Sequence, residues 1–251
     1  MKSDIPVSAC IVTYNSGKKA VTAVNSLTLN TKNCDLRVTC IDNLSTDGTV
    51  ALLKQNTEAD VICLPQNIGF GGAHNLALSL GMGKYHAVVN PDITVNDDVL
   101  GYIVQVMEDN PDIVMAMPRI CFPNGTEQKL PKKNPTFRYL FGGRILKKIR
   151  DEYTNADFDY KDITDIDFCS GCFTVIRSDV FAQLGGFDER FFMYMEDADL
   201  SRRAKKIGRV VICPQVSAVH DWERGSAKNI KLLMRHINSS FKYFYKWRNS
   251  K

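Results

Sequence analysis

The first half of the chain alternates between two kinds of text, and this alternation limits the fold more than any other feature. PVSACIVTYN is a short apolar, β-branched run, and a helical pattern follows it from about residue 17 to residue 29. LRVTCIDN is followed by DGTVALLKQN, DVICLP by GGAHNLALSL, and YHAVVN by DDVLGYIVQVMEDN. IVMAMPRICF adds one or two further strands. Such alternation predicts a parallel sheet covered on both faces, because parallel strands need crossovers and their apolar faces need cover. Ligands of these sheets bind beyond the carboxyl ends of the strands. The first candidate residues therefore lie in four loops: TYNS, DNLSTDGT, PQNIGFGG and NPD.

Asn, Asp, Ser, Thr and Gly are also turn formers, and turn chemistry explains any one of these loops. It explains less well four successive strand ends on one sheet edge. No G-x-G-x-x-G follows the first strand and no G-x-x-x-x-G-K-[ST] occurs, which argues against a dinucleotide oxidoreductase and a P-loop enzyme. With 251 residues and 44% hydrophobic content the chain can bury a large core. A net charge of +4 is too small to call for nucleic acid. No apolar run reaches membrane-spanning length, and MKSDIPVSACIVTYN lacks the apolar stretch of a signal peptide. A cytoplasmic protein is expected, and its eight cysteines are read as reduced thiols. Cys169 and Cys172 have C-x-x-C spacing, but DFCSGCFTVIRS reads as a strand, where positions i and i+3 point to opposite faces.

The second half is less regular. Residues 128–150 hold eight basic side chains and no acid; residues 151–167 hold seven acids and one lysine. Residues 123–167 are read as an excursion from the core, a mobile loop. CFTVIRS, a helix from about Asp179, the stretch FFMYMEDADLSRR and the short strand RVVICP follow. On a helix, Glu196 and Asp199 share a face while Asp197 points about 100° away. Asp199 then meets Arg202 or Arg203, a structural pairing, and Asp197 has only Ser201 at i+4. Asp47 is read as the N-cap of the second helix. A catalytic domain over residues 1–226 is expected to precede a basic amphipathic helix over 227–251. Leu233, Ile237, Phe241 and Phe244 form an apolar stripe there. The stripe suits an anionic membrane surface, the protein's own core, or a second subunit in a homodimer.

Taken in order, IVTYNS, IDNLSTDGT, QNIGFGGAHNLAL, VVNPDI and GGFDERFFMYMEDADLSRRAKKIG resemble the family 2 glycosyltransferases, over Val7 to about Ser226. NPD and MYMEDADLSRR resemble the bacterial rhamnosyltransferase-like branch. The resemblance implies the GT-A fold of nucleotide-diphospho-sugar transferases, a mostly parallel central sheet flanked by helices, here with a C-terminal helical tail. It implies inverting transfer of a sugar, L-rhamnose from dTDP-L-rhamnose, to a hydroxyl of a lipid-linked glycan acceptor in bacterial surface polysaccharide biosynthesis. The enzyme would work in the cytoplasm, peripherally on the inner face of the membrane. Another hexosyl or galactofuranosyl donor, or a non-catalytic nucleotide-sugar-binding protein, are the alternatives.

The same resemblance distributes the residues. Asp42 would accept the ring N–H of the donor's base, with Thr13 and Asn15 on the same nucleoside. Asn67 and Asn75 would line the donor pocket, and Gly69 would let the backbone come close. Asn90 and Asp92 occupy the metal-binding D-x-D-like position; Asn90 has no charge, which leaves Asp92 as the main anion for Mg²⁺ or Mn²⁺, hard cations that prefer oxygen. His220 is a second candidate metal ligand. Asp197, the second acid of the Glu–Asp pair, would be the catalytic base, walled by the apolar FFMYM run. Gly171, Cys172, Glu196 and Trp222 would line the acceptor or sugar pocket.

Overall fold

Parallel pairing begins at β1 (Pro6–Thr13), whose register runs Pro6 opposite Asp35 to Thr13 opposite Asp42 on β2 (Asp35–Asp42). The computed structural model describes residues 5–156, 159–222 and 230–249. β2 pairs parallel with β3 (Asp60–Cys63), and β1 pairs parallel with β4 (Tyr85–Val89) on its other side. The connecting helices are α1 (Gly17–Asn30), α2 (Thr49–Asn56), and the short pair α3 (Phe70–Asn75) and α4 (Ala77–Leu80). α1 shows why they pack: Ala20, Ala23, Val24 and Leu27 recur at helical spacing and are all buried against the sheet. The carboxyl ends of β1, β2 and β4 thus share one edge, as the alternation predicts.

The remaining strands widen this sheet. β5 (Ile93–Thr94) follows the NPD turn, and α5 (Val99–Asp109) is capped by Asp98, whose Oδ1 accepts from the Gly101 N–H at 3.0 Å. β6 (Ile113–Cys121) is a single strand. After it come a π-helical turn (Arg138–Gly142), α6 (Gly143–Ile145), α7 (Lys147–Tyr153) and β7 (Thr164–Asp165). β8 (Phe173–Arg177), α8 (Ser178–Gln183), α9 (Glu196–Ala204), β9 (Arg209–His220) and α10 (Ile230–Trp247) complete the order. The sheet reads β3-β2-β1-β4-β8-β6-β9-β5, with β7 against β9. β8 runs antiparallel to both β4 and β6, while β6 and β9 are parallel.

Four readings change in detail. The RVVICP strand extends to His220, because a register shift between Pro118 and Arg119 lets β9 bulge past Pro214 and continue. Cys169 and Cys172 lie in the turn before β8, which starts at Phe173. Gly48, not Asp47, holds the N-cap position of α2; Asp47 accepts instead from the Thr49 N–H at 3.1 Å. The 123–167 excursion contains helical turns and β7, and its Leu140 packs on the buried cluster of Phe168, Phe191, Met195, Tyr243 and Trp247.

Candidate active site

A cavity of about 610 Å³ opens at the carboxyl edge of the sheet. Its floor is the end of β1 (Val12, Tyr14, Ser16), its sides are Asn43, Asn67, Gly69 and Phe70, and its far wall is Asn90, Pro91 and Asp92. α10 closes it from above through Lys231, Leu232 and Arg235. A second lobe of about 290 Å³ is lined by Asn15, Ser16, Lys19, Pro91 and Asp92, and shares Ser16, Pro91 and Asp92 with the first. Of the expected donor residues, Asn15, Asn67, Gly69, Asn90 and Asp92 therefore line open space.

Thr13 and Asp42 are buried and line neither lobe. Their strand register sets them side by side, and the buried Asp42 carboxylate accepts from Thr13 Oγ1 and from the Ser45 N–H, each at 2.8 Å. The neighbouring Asn43 ties β2 to the glycine loop: its Oδ1 accepts from the Ile68 N–H and its Nδ2 donates to the Gly69 carbonyl, both at 2.9 Å. Asn75 is committed elsewhere. It donates to the Phe187 carbonyl at 2.9 Å, accepts from the Phe187 N–H at 2.7 Å, and does not line either lobe. It sits at the last residue of α3, where it serves as a clasp between that helix and the segment leading to α9.

Gly69 has φ +84°, and a Cβ there would overlap the Phe192 carbonyl, which also accepts from the Phe70 N–H at 2.9 Å. The glycine loop and the FFMYM stretch are thus joined backbone to backbone. Tyr194 and Met195 follow with φ of +71° and +69°, a strained left-handed pair placed directly before the acids of α9.

The three acids divide the work. Asp199, fully buried, accepts from Arg203 Nε at 2.8 Å and from Trp247 Nε1 at 2.9 Å, so the ion pair expected with Arg202 or Arg203 forms with Arg203. Glu196 is buried with Oε2 lacking a hydrogen-bond partner among the described residues. Burial first, and the neighbouring Asp197 charge second, push its carboxyl up to about 8. Asp197 is half-buried; its Oδ2 accepts from the Gly171 N–H at 3.2 Å. The Cys172 carbonyl in turn accepts from the Asn90 N–H at 2.8 Å. A short backbone path therefore runs from Asp197 through Gly171 and Cys172 to the NPD turn.

His220 reaches that turn through β-pairing, since Ile93 lies opposite it in the β5–β9 ladder. Its Nε2 faces Asp92 Oδ1 at 3.3 Å, and neither atom has another hydrogen-bond partner among the described residues. Nδ1 donates to Gln128 Oε1 at 3.2 Å, which fixes the ring. Burial alone would lower the His220 pKa, but Asp92 and then Cys172 beside it hold it up at about 10. Trp222, 41% exposed, stacks on the same imidazole with ring centroids 6.3 Å apart.

This geometry can be set against known proteins. The profile of glycosyl transferase family 2 matches residues 8–185. The chain belongs to that family. It is 29% identical over 240 residues to the N-acetylglucosaminyl-diphospho-decaprenol L-rhamnosyltransferase of Mycobacterium tuberculosis, covering 88% of this chain and 76% of the relative. It is 28% identical over 193 residues to rhamnosyltransferase WbbL of Escherichia coli K12, covering 70% and 69%. Among solved structures, GalNAc-T7 with UDP, GalNAc and Mn²⁺ superposes with a TM-score of 0.66 at 15% identity over 99% of this chain. The chain spans about half (51%) of that structure. The fold is GT-A, and this is a glycosyltransferase.

In this family 2 transferase, Asp92 and the His220 imidazolium form an ion pair at the NPD turn. His220 would join Asp92 on a divalent cation only by giving up its Nε2 proton, because a metal ligand must be a neutral imidazole. The Asp92 oxygen and the His220 nitrogen are 3.3 Å apart, and the ring is oriented by Gln128. No cluster of three or more His, Cys, Asp or Glu that could hold a metal occurs among the described residues, so the other ligands would be donor oxygens and water. Sequence reasoning missed Lys132, which the excursion brings to within 5.9 Å of the Tyr153 ring centre. Burial lowers its ammonium pKa, while the nearby Asp197 and Cys172 oppose this. Nothing in LPKKN distinguishes it from Lys133. Asn43 was legible, because it sits in the DNLSTDGT loop already marked as a strand end.

Proposed function

We propose that the protein transfers one sugar, L-rhamnose from dTDP-L-rhamnose, to a hydroxyl of a lipid-linked glycan, with inversion at the anomeric carbon. One observation supports the reading: the cavity ends on Asp92, and hydrogen bonds through Asn90, Cys172 and Gly171 tie the Asp197 carboxylate to the same turn, although Asp197 itself lines neither lobe. The named activities of the two bacterial rhamnosyltransferase relatives support the choice of sugar.

The nucleoside lies over β1 and β2, where Asp42, Thr13 and Asn15 meet, and Asn67 and Gly69 border the sugar-phosphate. Mg²⁺ or Mn²⁺ held by Asp92 and His220 would neutralise diphosphate charge as a Lewis acid. Asp197 accepts the proton of the acceptor hydroxyl as that oxygen bonds to the anomeric carbon and the bond to the diphosphate breaks. The Gly171 N–H orients the Asp197 carboxylate. Glu196, held up at about 8, stays largely protonated at neutral pH and adds little second negative charge beside it. The FFMYM wall limits water, and so hydrolysis of the donor. The protein acts in the cytoplasm, peripherally on the inner face of the membrane.

The test is saturation-transfer NMR against a panel of nucleotide sugars, followed by transfer assays with Mg²⁺ or Mn²⁺. dTDP-rhamnose is expected to give the strongest signal. Asp197→Asn should keep donor affinity and lower kcat by roughly two orders of magnitude. Near-normal turnover of that variant would assign the base elsewhere.

A further inference from the structure

The excursion and the C-terminal helix share an exposed apolar surface that sugar transfer does not use. Phe137 and Phe141, both largely exposed, stack with ring centroids 6.0 Å apart, and Phe137 stacks on Phe244 of α10 at 3.8 Å. Leu140 beneath them packs on the buried Tyr243–Trp247 cluster, so the aromatic platform is fixed to the fold. From it the chain runs through α6 to Ile145, 83% exposed, and Leu146, 55% exposed. Leu146 is extended between α6 and α7. On α10, Ile230, Met234, Phe241 and Tyr245 are all exposed at helical steps, whereas Ser239, Ser240, Tyr243 and Trp247 face the protein. This differs from the expected stripe: Leu233, Ile237 and Phe244 are half-buried, and of that set Phe241 alone is exposed.

Soluble proteins rarely leave so many large apolar side chains together in water without a partner. The charge around them says which partner. Lys147, Lys148 and Arg150 follow Leu146 directly and are exposed, and residues 128–150 contain no acid. The nearby Glu152 is engaged by Arg138, at 2.9 Å, and by Tyr139, at 2.7 Å. Asp151 faces Arg150 at 3.9 Å, which leaves Lys147 and Lys148 as the exposed cations next to Ile145 and Leu146. Exposed apolar side chains followed by cations match a bilayer interface with anionic headgroups, where the former enter the acyl boundary and the latter stay among phosphates. We propose that this surface seats the protein on an anionic lipid bilayer, with Ile145 and Leu146 as its leading edge and the exposed stripe of α10 beside them. The cavity is lined by Lys231 and Arg235 near the start of the same helix. About ten residues of helix at 1.5 Å rise separate these from Phe241 and Tyr245, roughly 15 Å. A lipid-linked substrate held in the bilayer would so lie within reach of the site.

The experiment is flotation of the purified full chain with phosphatidylcholine vesicles, with and without phosphatidylglycerol, at low and high salt. It needs no donor or acceptor, so its failure leaves the transfer reading untouched. Binding is expected on phosphatidylglycerol vesicles at low salt and should fall steeply at high salt. Ile145→Ser with Leu146→Ser should cut the bound fraction at least about tenfold. Lys147→Gln with Lys148→Gln should lower the partition coefficient roughly 25-fold at low salt, since each basic residue contributes roughly fivefold. Both pairs are exposed, so thermal unfolding should be unchanged. Absence of binding to anionic vesicles, or binding unaltered by the Ile145/Leu146 pair, overturns the proposal. So does a dimer in sedimentation velocity that the same substitutions dissociate, because the surface would then belong to a second copy.

Discussion

At the scale of single residues, Glu196 and Asp92 give the sharpest tests. The folded protein holds the Glu196 carboxyl at about 8, against about 4.5 when exposed. Between those values the folded state binds more protons at this position than the unfolded state, so its contribution to stability falls as pH rises and is lowest above about 8. Glu196→Gln keeps the shape and removes the titration. It should be near neutral for stability at about pH 4.5 and stabilising by a few kcal/mol at about pH 8.5 relative to wild type. Urea denaturation at the two pH values measures the difference, and a gap that does not widen with pH would place the Glu196 carboxylate in contact with solvent or a cation. Asp92→Ala should weaken donor binding at least about tenfold with Mn²⁺ or Mg²⁺ present and far less in EDTA. Calorimetry under both conditions decides it; equal losses would mean that Asp92 contacts donor without metal.

At the scale of elements, the seam between the glycine loop and the turn before α9 governs the site. Gly69 has no space for a side chain, because the Phe192 carbonyl occupies it, and its φ is unfavourable for other residues. Gly125 has a similar φ of +82° but nothing within 4 Å of its Cβ direction. Gly125→Ala should cost only the left-handed strain, about 1 kcal/mol. Gly69→Ala must also displace Phe192 and, with it, the strained Tyr194–Met195 pair. It is expected to lose about 2–4 kcal/mol and most donor affinity. Equal effects of the two alanines on donor binding would show that the seam is not rigid.

At the scale of the whole molecule, α10 clamps the turn before α9. Ser239 Oγ donates to the Met193 carbonyl at 2.8 Å, Arg235 lies 4.3 Å over the Phe192 ring, and Trp247 donates to the buried Asp199. Arg202 covers the outer face of Trp247 at 4.2 Å. Left-handed residues persist only where their surroundings over-determine them, and here a helix from the end of the chain supplies that constraint. Trp247→Phe removes the hydrogen bond to a buried carboxylate while keeping most of the packing. A loss of about 1.5–3 kcal/mol is expected in urea denaturation, with reduced turnover as the turn loosens. A stable variant of unchanged activity would show that α10 merely covers the surface.

Much of this was legible in the sequence because it depends on local periods. The β1 to β4 alternation, the inward face of α1 and the position of NPD at a strand end follow from side-chain spacing and from the crossovers that parallel strands require. That Asp199 pairs with Arg202 or Arg203 follows from helical geometry; packing selected Arg203. The rest depends on contacts between distant segments, which periodicity does not encode. An asparagine has the same donors and acceptors whether it lines a cavity, as Asn67 does, or clasps a backbone, as Asn75 does. Only the packed chain set His220 against Asp92, lifted Lys132 out of a basic run toward Asp197, and chose which face of α10 to bury. Each of these outcomes turns on which polar and apolar groups lose water together, and tertiary structure alone decides that.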